Sequence, residues 1–123
     1  MNSANIKLEK INHLILKHLN LILRTKFHDN LKLNTISFHE VKINKNRSNA
    51  IIYYNFLLDY KNSAILKNKI AKELEKKNKT LRFLLAQKLT IFKTPKLKFI
   101  YDDSIAKGLK IEQIISKINE TKK

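Results

Sequence analysis

The apolar residues of this chain follow two different periods, and the order of these periods limits the folds open to it. In residues 6–24 they recur at the spacing of one helix face, at Ile11, Leu14, Ile15, Leu19 and Ile22. Residues 35–43 alternate apolar and polar side chains, and residues 50–58 are rich in β-branched and aromatic types, as strands are. One helix followed by two strands predicts an α+β fold.

The two predicted strands form the simplest kind of pair, a hairpin. The polar segment 44–49 suits the turn between them. The alternation of the first strand slips by one position after the pair His39 and Glu40, so that Val41 continues the apolar face. Such a slip of phase predicts a β-bulge at this pair.

The second half of the chain is predicted to contain three more helices and one more strand. Ser63 suits the cap of a helix with an apolar stripe at Ile65, Leu66, Ile70 and Leu74. A break is placed at Asn78, which tolerates a left-handed turn, and Thr80 is predicted to cap a short helix after it. A strand with Leu97, Phe99 and Tyr101 on one face precedes a last helix, capped by Ser104. The predicted order is α-β-β-α-α-β-α.

The composition excludes several classes of site. Gly108 is the single glycine, so the glycine-rich loops that cradle nucleotide phosphates and the G-x-S-x-G nucleophile elbow are absent. There is no cysteine, and the four histidines lack the spacing of metal ligands. The adjacent carboxylates Asp102 and Asp103 cannot face each other across a reaction site, and they suit the start of a helix instead. We therefore predict no catalytic residue, no metal, no cofactor and no small-molecule substrate.

The charge of the chain predicts its kind of partner. Twenty-six basic residues against ten acidic ones give a net charge of +16. An excess of this size favours a polyanion such as a nucleic acid. No segment reaches the roughly 18 uninterrupted apolar residues that a membrane span requires, and the N-terminus lacks the pattern of a signal peptide. The expected location is the cytoplasm.

The segment TPKLKFIYDDSIAKGLKIEQII resembles the C-terminal signature of the ribosome-binding factor A family. The matching positions are Pro95, Leu97, Phe99, Asp102, Ser104, Gly108 and Ile111. The similarity extends over nearly the whole chain: KINHLI resembles the first helix of the family, VKINKNRSNAIIYYNF its bulged hairpin and TLRFLLAQKL its Leu-Arg helix.

This resemblance implies a fold and a function. The implied fold is a single KH-like domain of the second type over residues 1–123, with helices on one face of a three-stranded sheet and a short flexible basic tail at 119–123. The implied function is that of a non-enzymatic, monomeric assembly factor. Its partners would be small-subunit rRNA and the free small ribosomal subunit, late in maturation of the subunit.

Basic residues at two places are the candidates for contact with RNA phosphates. The family replaces the glycine loop of KH domains by an interrupted helix with an Ala-x-Gly kink, and this chain departs from that pattern at the corresponding residues 77–79. The candidate RNA-binding residues lie around this point and along the hairpin: Lys42, Lys45, Arg47, Lys76, Lys77, Asn78, Lys79 and Arg82. Tyr54 is expected in the core. Tyr53, on the opposite face, would either stack on a base or lie beneath a neighbouring side chain, and the second is the favoured expectation.

Two other functions compete with this interpretation. A general nucleic-acid-binding protein of the nucleoid type would have the same charge. A protein of the membrane surface would use the basic first helix to bind anionic lipid. In an RNA-binding KH-like domain that helix contributes to the core instead.

Overall fold

The helices and strands are taken from a computed structural model, which describes residues 3–57, 64–89 and 93–103. Helix α1 spans Ser3–Lys26 and is followed by a short 3-10 helix at Leu33–Thr35. Strands β1 and β2 span Ile36–Ile43 and Asn49–Phe56, helix α2 spans Ala64–Lys88, and strand β3 spans Lys96–Tyr101. The predicted caps Ser63 and Ser104, the last helix and the tail at 119–123 lie outside the described residues.

The three strands form one mixed sheet in the order β1-β2-β3. The β1 and β2 strands are antiparallel, as in the predicted hairpin, and α2 carries the chain back so that β3 runs parallel to β2. The register of the hairpin shifts between Phe38 and Glu40, which leaves His39 as the extra residue. The bulge predicted from the change of phase is therefore confirmed.

The core lies between the helices and one face of the sheet. Leu97 is buried, Phe99 stacks on Phe38 with ring centroids 5.4 Å apart, and Tyr101 meets Tyr54 edge to face at 5.8 Å. The predicted inward face of β3 is thus confirmed. Among the described residues, the largest fully buried side chains come from both helices, the 3-10 helix, β2 and the segment before β3: Ile15, Leu19, Leu33, Ile52, Ile70, Leu74, Leu81, Leu85 and Pro95.

Two residues of the predicted helix stripes are not in this core. Ile65 is 71% exposed at the start of α2, and Leu14 is 40% exposed on α1. Ile65 precedes Leu66, and Leu14 precedes Ile15; in each pair the second residue is the more buried. The apolar stripe of each helix is therefore narrower than its composition suggests.

Asparagine side chains from the helices occupy the outer edges of the sheet. Asn20 of α1 accepts from the Phe38 amide at 2.9 Å and donates to the Phe38 carbonyl at 2.7 Å, as a neighbouring strand would. Asn12 accepts from the Ile43 amide at 2.9 Å, and on the other edge Asn78 donates to the Leu97 carbonyl at 2.9 Å. These bonds satisfy backbone groups that an edge strand otherwise offers to another chain.

Helix α2 is continuous, and the predicted break at Asn78 is wrong. The residues Ile70, Leu74, Leu81 and Leu85 are all fully or almost fully buried and lie on one face of a single helix. Leu74 and Leu81 are seven residues apart, which is close to two helical turns. Asn78 remains helical because its side chain bonds to β3 and not to its own backbone. Thr80 is therefore an interior residue and not a cap.

None of the helices in the described part of the chain combines the length and the apolar character needed to cross a lipid bilayer.

Candidate nucleic-acid interface

Three segments that are distant in sequence meet at one end of the sheet. The Lys96 amide, at the start of β3, donates to the Ser48 carbonyl in the hairpin turn at 2.9 Å. From the second half of α2, Arg82 donates through Nε to the Pro95 carbonyl at 3.1 Å and through Nη2 to the Thr94 carbonyl at 3.0 Å. The two predicted groups of RNA-binding residues, on the hairpin and on α2, are thus joined through the segment that enters β3.

The hairpin turn is held in one conformation by its own polar side chains. Asn44 accepts from the Asn49 amide at 3.0 Å, and Asn46 accepts from both the amide and the hydroxyl of Ser48. Arg47 lies between them with φ of 59°, in the left-handed region. That conformation is unfavourable for a residue with a Cβ, so the bonds around it fix the backbone from which the Arg47 side chain leaves the turn.

Asn78 and Arg82 have a structural role at this end of the sheet. They lie one turn apart on α2, and both donate to backbone carbonyls at or just before β3. Arg82 therefore fixes the approach of the Thr94 and Pro95 segment to the helix. A guanidinium bound in this way is held in one orientation, and its charge stays at the surface of the groove described below.

The cations at this end form a group that we call the basic end, consisting of Lys45, Arg47, Lys79, Lys93 and Lys96. All five are exposed except Arg47, which is partly exposed. The sequence contains no Asp or Glu between Glu40 and Asp59, and none between Glu75 and Asp102. Glu75 lies one helical turn before Lys79 on α2, and the other four cations lie in stretches of sequence without carboxylates. The basic end therefore keeps an excess of positive charge, which suits the phosphates of a nucleic acid.

Lys42 lies farther along β1, and its charge is already partly compensated. Its Nζ is 3.8 Å from a carboxylate oxygen of Glu40 and 5.6 Å from the centre of the Tyr53 ring. The prediction that Tyr53 lies beneath a neighbouring side chain agrees with this contact. Exposed pairs such as Lys42 and Glu40 contribute little to stability, about 0 to 1 kcal/mol, so Lys42 remains available to a stronger anion.

Lys76 and Lys77 act on a different surface of α2. Asn30 donates to Glu73 at 3.0 Å, and this hydrogen bond, with the positive charges of Lys32, Lys76 and Lys77, lowers the pKa of Glu73. The stabilisation that this carboxylate provides is present at neutral pH and is lost as the pH falls through its lowered pKa. Because α2 is continuous through Asn78, there is no helix N-terminus between Lys77 and Lys79 that could bind a phosphate.

A groove of about 450 Å³ runs along the outer side of α2 next to the basic end. Phe83 forms one wall and is 63% exposed, which is unusual for an aromatic residue of this size. The other residues that line the groove are Lys79, Arg82, Ala86, Lys93 and Thr94.

Sequence reasoning missed three residues of this region, namely Phe83, Lys93 and Lys96. The two lysines flank the pair Thr94 and Pro95, so their position before a strand was visible, but their approach to α2 depends on the hydrogen bonds of Arg82. Phe83 follows Arg82 in a segment rich in leucine and reads as one more core residue. In the structure Leu81 and Leu85 face the core, and Phe83 lies off that face.

The opposite end of the sheet carries the acidic pair of the signature. The Asp102 amide donates to the Tyr54 carbonyl at 2.9 Å, Asn55 donates to the Asp102 carbonyl at 2.8 Å, and a carboxylate oxygen of Asp102 lies 3.4 Å from Nε2 of His39. These contacts tie the end of β3 to the bulge. Within the ranges that the structure describes, no three His, Asp or Glu side chains converge as a metal site would require.

Comparison with known proteins identifies relatives of this chain. Residues 7–115 match the family model described as Ribosome-binding factor A. A curated protein of that name from Phytoplasma mali is 38% identical over 113 residues, which cover 91% of this chain and 96% of the relative.

Two structures from Thermus thermophilus share the fold. The crystal structure of ribosome-binding factor A superimposes with a TM-score of 0.62 at 14% identity, covering 76% of this chain and 94% of that one. The second is a homology model of the same factor fitted into the cryo-EM map of a 30S complex, with a TM-score of 0.54, 14% identity and coverage of 73% and 89%. These proteins have a KH-like fold, and the predicted α+β class with helices on a three-stranded sheet is confirmed.

Proposed function

Because this chain belongs to the ribosome-binding factor A family, we propose that it is an assembly factor of the small ribosomal subunit and binds rRNA late in maturation. The observation that carries the proposal is the basic end: five cations on three connected segments, in stretches of sequence free of carboxylates. The placement of a related Thermus protein in a 30S complex supports the choice of partner.

In this proposal the protein acts by binding and not by catalysis. The hairpin turn and the start of β3 are tied by hydrogen bonds, so their cations form a preorganised surface for a bent phosphate backbone. Lys45, Arg47 and Lys96 neutralise phosphates on one side, and Lys79 and Lys93 do so beside α2. Binding holds one rRNA conformation, and the factor leaves when the mature contacts of the subunit replace it.

The remaining features of the proposal follow from the same role. The chain is a single domain over residues 1–123, monomeric and cytoplasmic, and its partners are the free small subunit and its rRNA. It needs no metal, cofactor or small-molecule substrate, because contacts between cations and phosphates suffice. Lys42, Lys76 and Lys77 lie beside the main surface and make secondary contacts with RNA.

A comparison of affinities tests this function against that of a nucleoid-type protein. Purified protein should bind purified free small subunits at least about tenfold more tightly than a duplex DNA at the same salt concentration, because nonspecific binding depends on phosphate charge alone. Filter binding of both ligands in one buffer measures the ratio. Equal affinity for the two would support the nucleoid alternative, and anionic lipid vesicles serve as the control for attraction by charge.

A further inference from the structure

A small apolar recess lies at the end of the sheet opposite the basic end. Its floor consists of three buried aliphatic side chains, and one exposed side chain forms its wall: Leu23, Leu33, Ile36 and Leu57. Leu57 directly follows β2 and is 60% exposed. We call these four residues, together with Arg24 and His28 at the rim, the leucine notch.

The volume of the leucine notch suits a single side chain. It encloses about 210 Å³, which is below the roughly 300 Å³ at which small-ligand sites usually begin and well above the roughly 30 Å³ of one water molecule. One exposed leucine is ordinary on a protein surface. An aliphatic recess behind that leucine is different, because it can bury the apolar anchor of a partner protein.

Hydrogen bonds between backbone segments hold the notch in shape. The Leu57 amide donates to the Thr35 carbonyl at 2.8 Å, which fixes the wall against the start of β1. The Asn34 side chain donates to the His28 carbonyl at 3.1 Å, which ties the 3-10 helix to the turn after α1. A recess that is already formed requires little ordering when a ligand binds.

The rim of the notch is positively charged. Arg24 is exposed on the last turn of α1, and it forms no ion pair with a carboxylate of the described residues. Nδ1 of His28 lies 3.7 Å from a carboxylate oxygen of Asp29, but both side chains are largely exposed, so this pair is weak. Lys26 and Lys32 are exposed in the same stretch of the chain. The rim therefore favours an anionic ligand.

The chemistry of the notch favours a protein over RNA. The floor and the wall are aliphatic, so they offer a base no ring for stacking and no group to bond its polar edges. A second copy of this chain would bring its own net charge of +16 to a basic rim. A segment with an apolar side chain beside a carboxylate matches both the floor and the rim.

We propose that the leucine notch binds a short acidic segment of a partner protein, in which one large apolar side chain enters the recess and a neighbouring carboxylate pairs with Arg24. This inference goes beyond the proposed function and does not depend on it. Strands β1 and β2 have eight residues each, which places the notch roughly 23 Å from the hairpin turn at about 3.3 Å per residue. The protein can therefore hold rRNA at the basic end and a second protein at the notch together.

Two synthetic peptides test the recess. In the first, one phenylalanine lies between glutamates, and in the second an alanine takes its place, so that the charge is the same. The phenylalanine peptide should bind roughly 10-fold more tightly, because only its side chain fills the recess. In a heteronuclear NMR titration it should shift the amide signals of Leu23, Arg24 and Leu57.

Matched variants separate the wall and the rim. Leu57→Ser should weaken binding of the phenylalanine peptide roughly fivefold or more, whereas Leu31→Ser should not, because Leu31 is 84% exposed and does not line the notch. Arg24→Gln should weaken both peptides roughly two- to fivefold. Lys17→Gln, also on α1, should weaken them by less than about twofold, because salt screens a distant exposed charge.

Equal affinity of the two peptides for the wild type would mean diffuse attraction by charge and would overturn the inference. Peptide-induced shifts at the hairpin turn in place of the notch would do the same. Displacement of the phenylalanine peptide from the notch by a short single-stranded RNA would assign this surface to RNA and not to a protein. The peptide titrations contain no RNA, so their failure leaves the proposed function standing, and a failure to bind small subunits would leave the notch standing.

Discussion

Replacing Lys79 and Lys96 together by glutamate is expected to weaken binding to the small subunit by at least about tenfold. The two residues come from α2 and β3, and both belong to the basic end. The change removes two cations from the basic end and adds two anions there. If each lysine neutralises one phosphate, the slope of log affinity against log salt should fall by about 1.4 to 1.8. Filter binding at several salt concentrations measures both quantities.

The matched control replaces two exposed lysines on α1, Lys10 and Lys17, by glutamate. It changes the net charge by the same amount, but α1 lies against β1 and does not contribute to the basic end. If the interaction is local, the control should retain most of the affinity and most of the salt slope. Equal losses in the two double variants would mean that attraction is diffuse, and the basic end would not be a site.

Replacing Thr80 by proline is expected to lower the free energy of unfolding by about 3 kcal/mol or more. Thr80 lies in the interior of α2, so proline removes the hydrogen bond to the carbonyl four residues earlier and clashes with that turn. Urea unfolding measures the change. If a new helix began at Thr80, as the sequence suggested, proline there would be much less harmful.

The variant Thr80→Ala distinguishes a helix-interior position from a helix cap by the sign of the change in the free energy of unfolding. At an exposed position within a helix, alanine should raise the free energy of unfolding by about 0.5 kcal/mol through its better helix propensity. At a helix cap, loss of the hydroxyl would lower it by about 1 kcal/mol. A stabilised alanine variant together with a strongly destabilised proline variant supports a continuous α2, and a destabilised alanine variant contradicts it.

The elements predicted from sequence are those whose periods are strong and local. The α1 stripe, the phase slip at His39 and the alternation of Leu97, Phe99 and Tyr101 each depend on neighbours in the chain. All are confirmed except for Leu14 of the α1 stripe, which is exposed. The course of α2 was misjudged because Asn78 and Thr80 favour turns and caps in isolation. A tertiary hydrogen bond from Asn78 to Leu97, nineteen residues later, outweighs that local preference.

The site was less predictable than the fold, for a physical reason. Charge alone marks every lysine equally, and only the tertiary structure shows which ones share a surface. Arg82 looked like a free cation and is bonded to two backbone carbonyls, while Lys93 and Lys96 join the basic end because those bonds bring their segment to α2. Asp102 of the signature closes the opposite end of the sheet, and the helix start predicted beside the pair Asp102 and Asp103 lies outside the described residues.

Sedimentation of a cell lysate through a sucrose gradient tests the central claim most directly. An assembly factor that leaves before the subunits join should occupy the fractions of free small subunits and be absent from joined ribosomes. The Lys79→Glu, Lys96→Glu double variant should move from those fractions to the top of the gradient, while the Lys10→Glu, Lys17→Glu control should stay. Equal occupancy of free subunits and joined ribosomes, or a wild-type protein found only at the top of the gradient, would contradict the account.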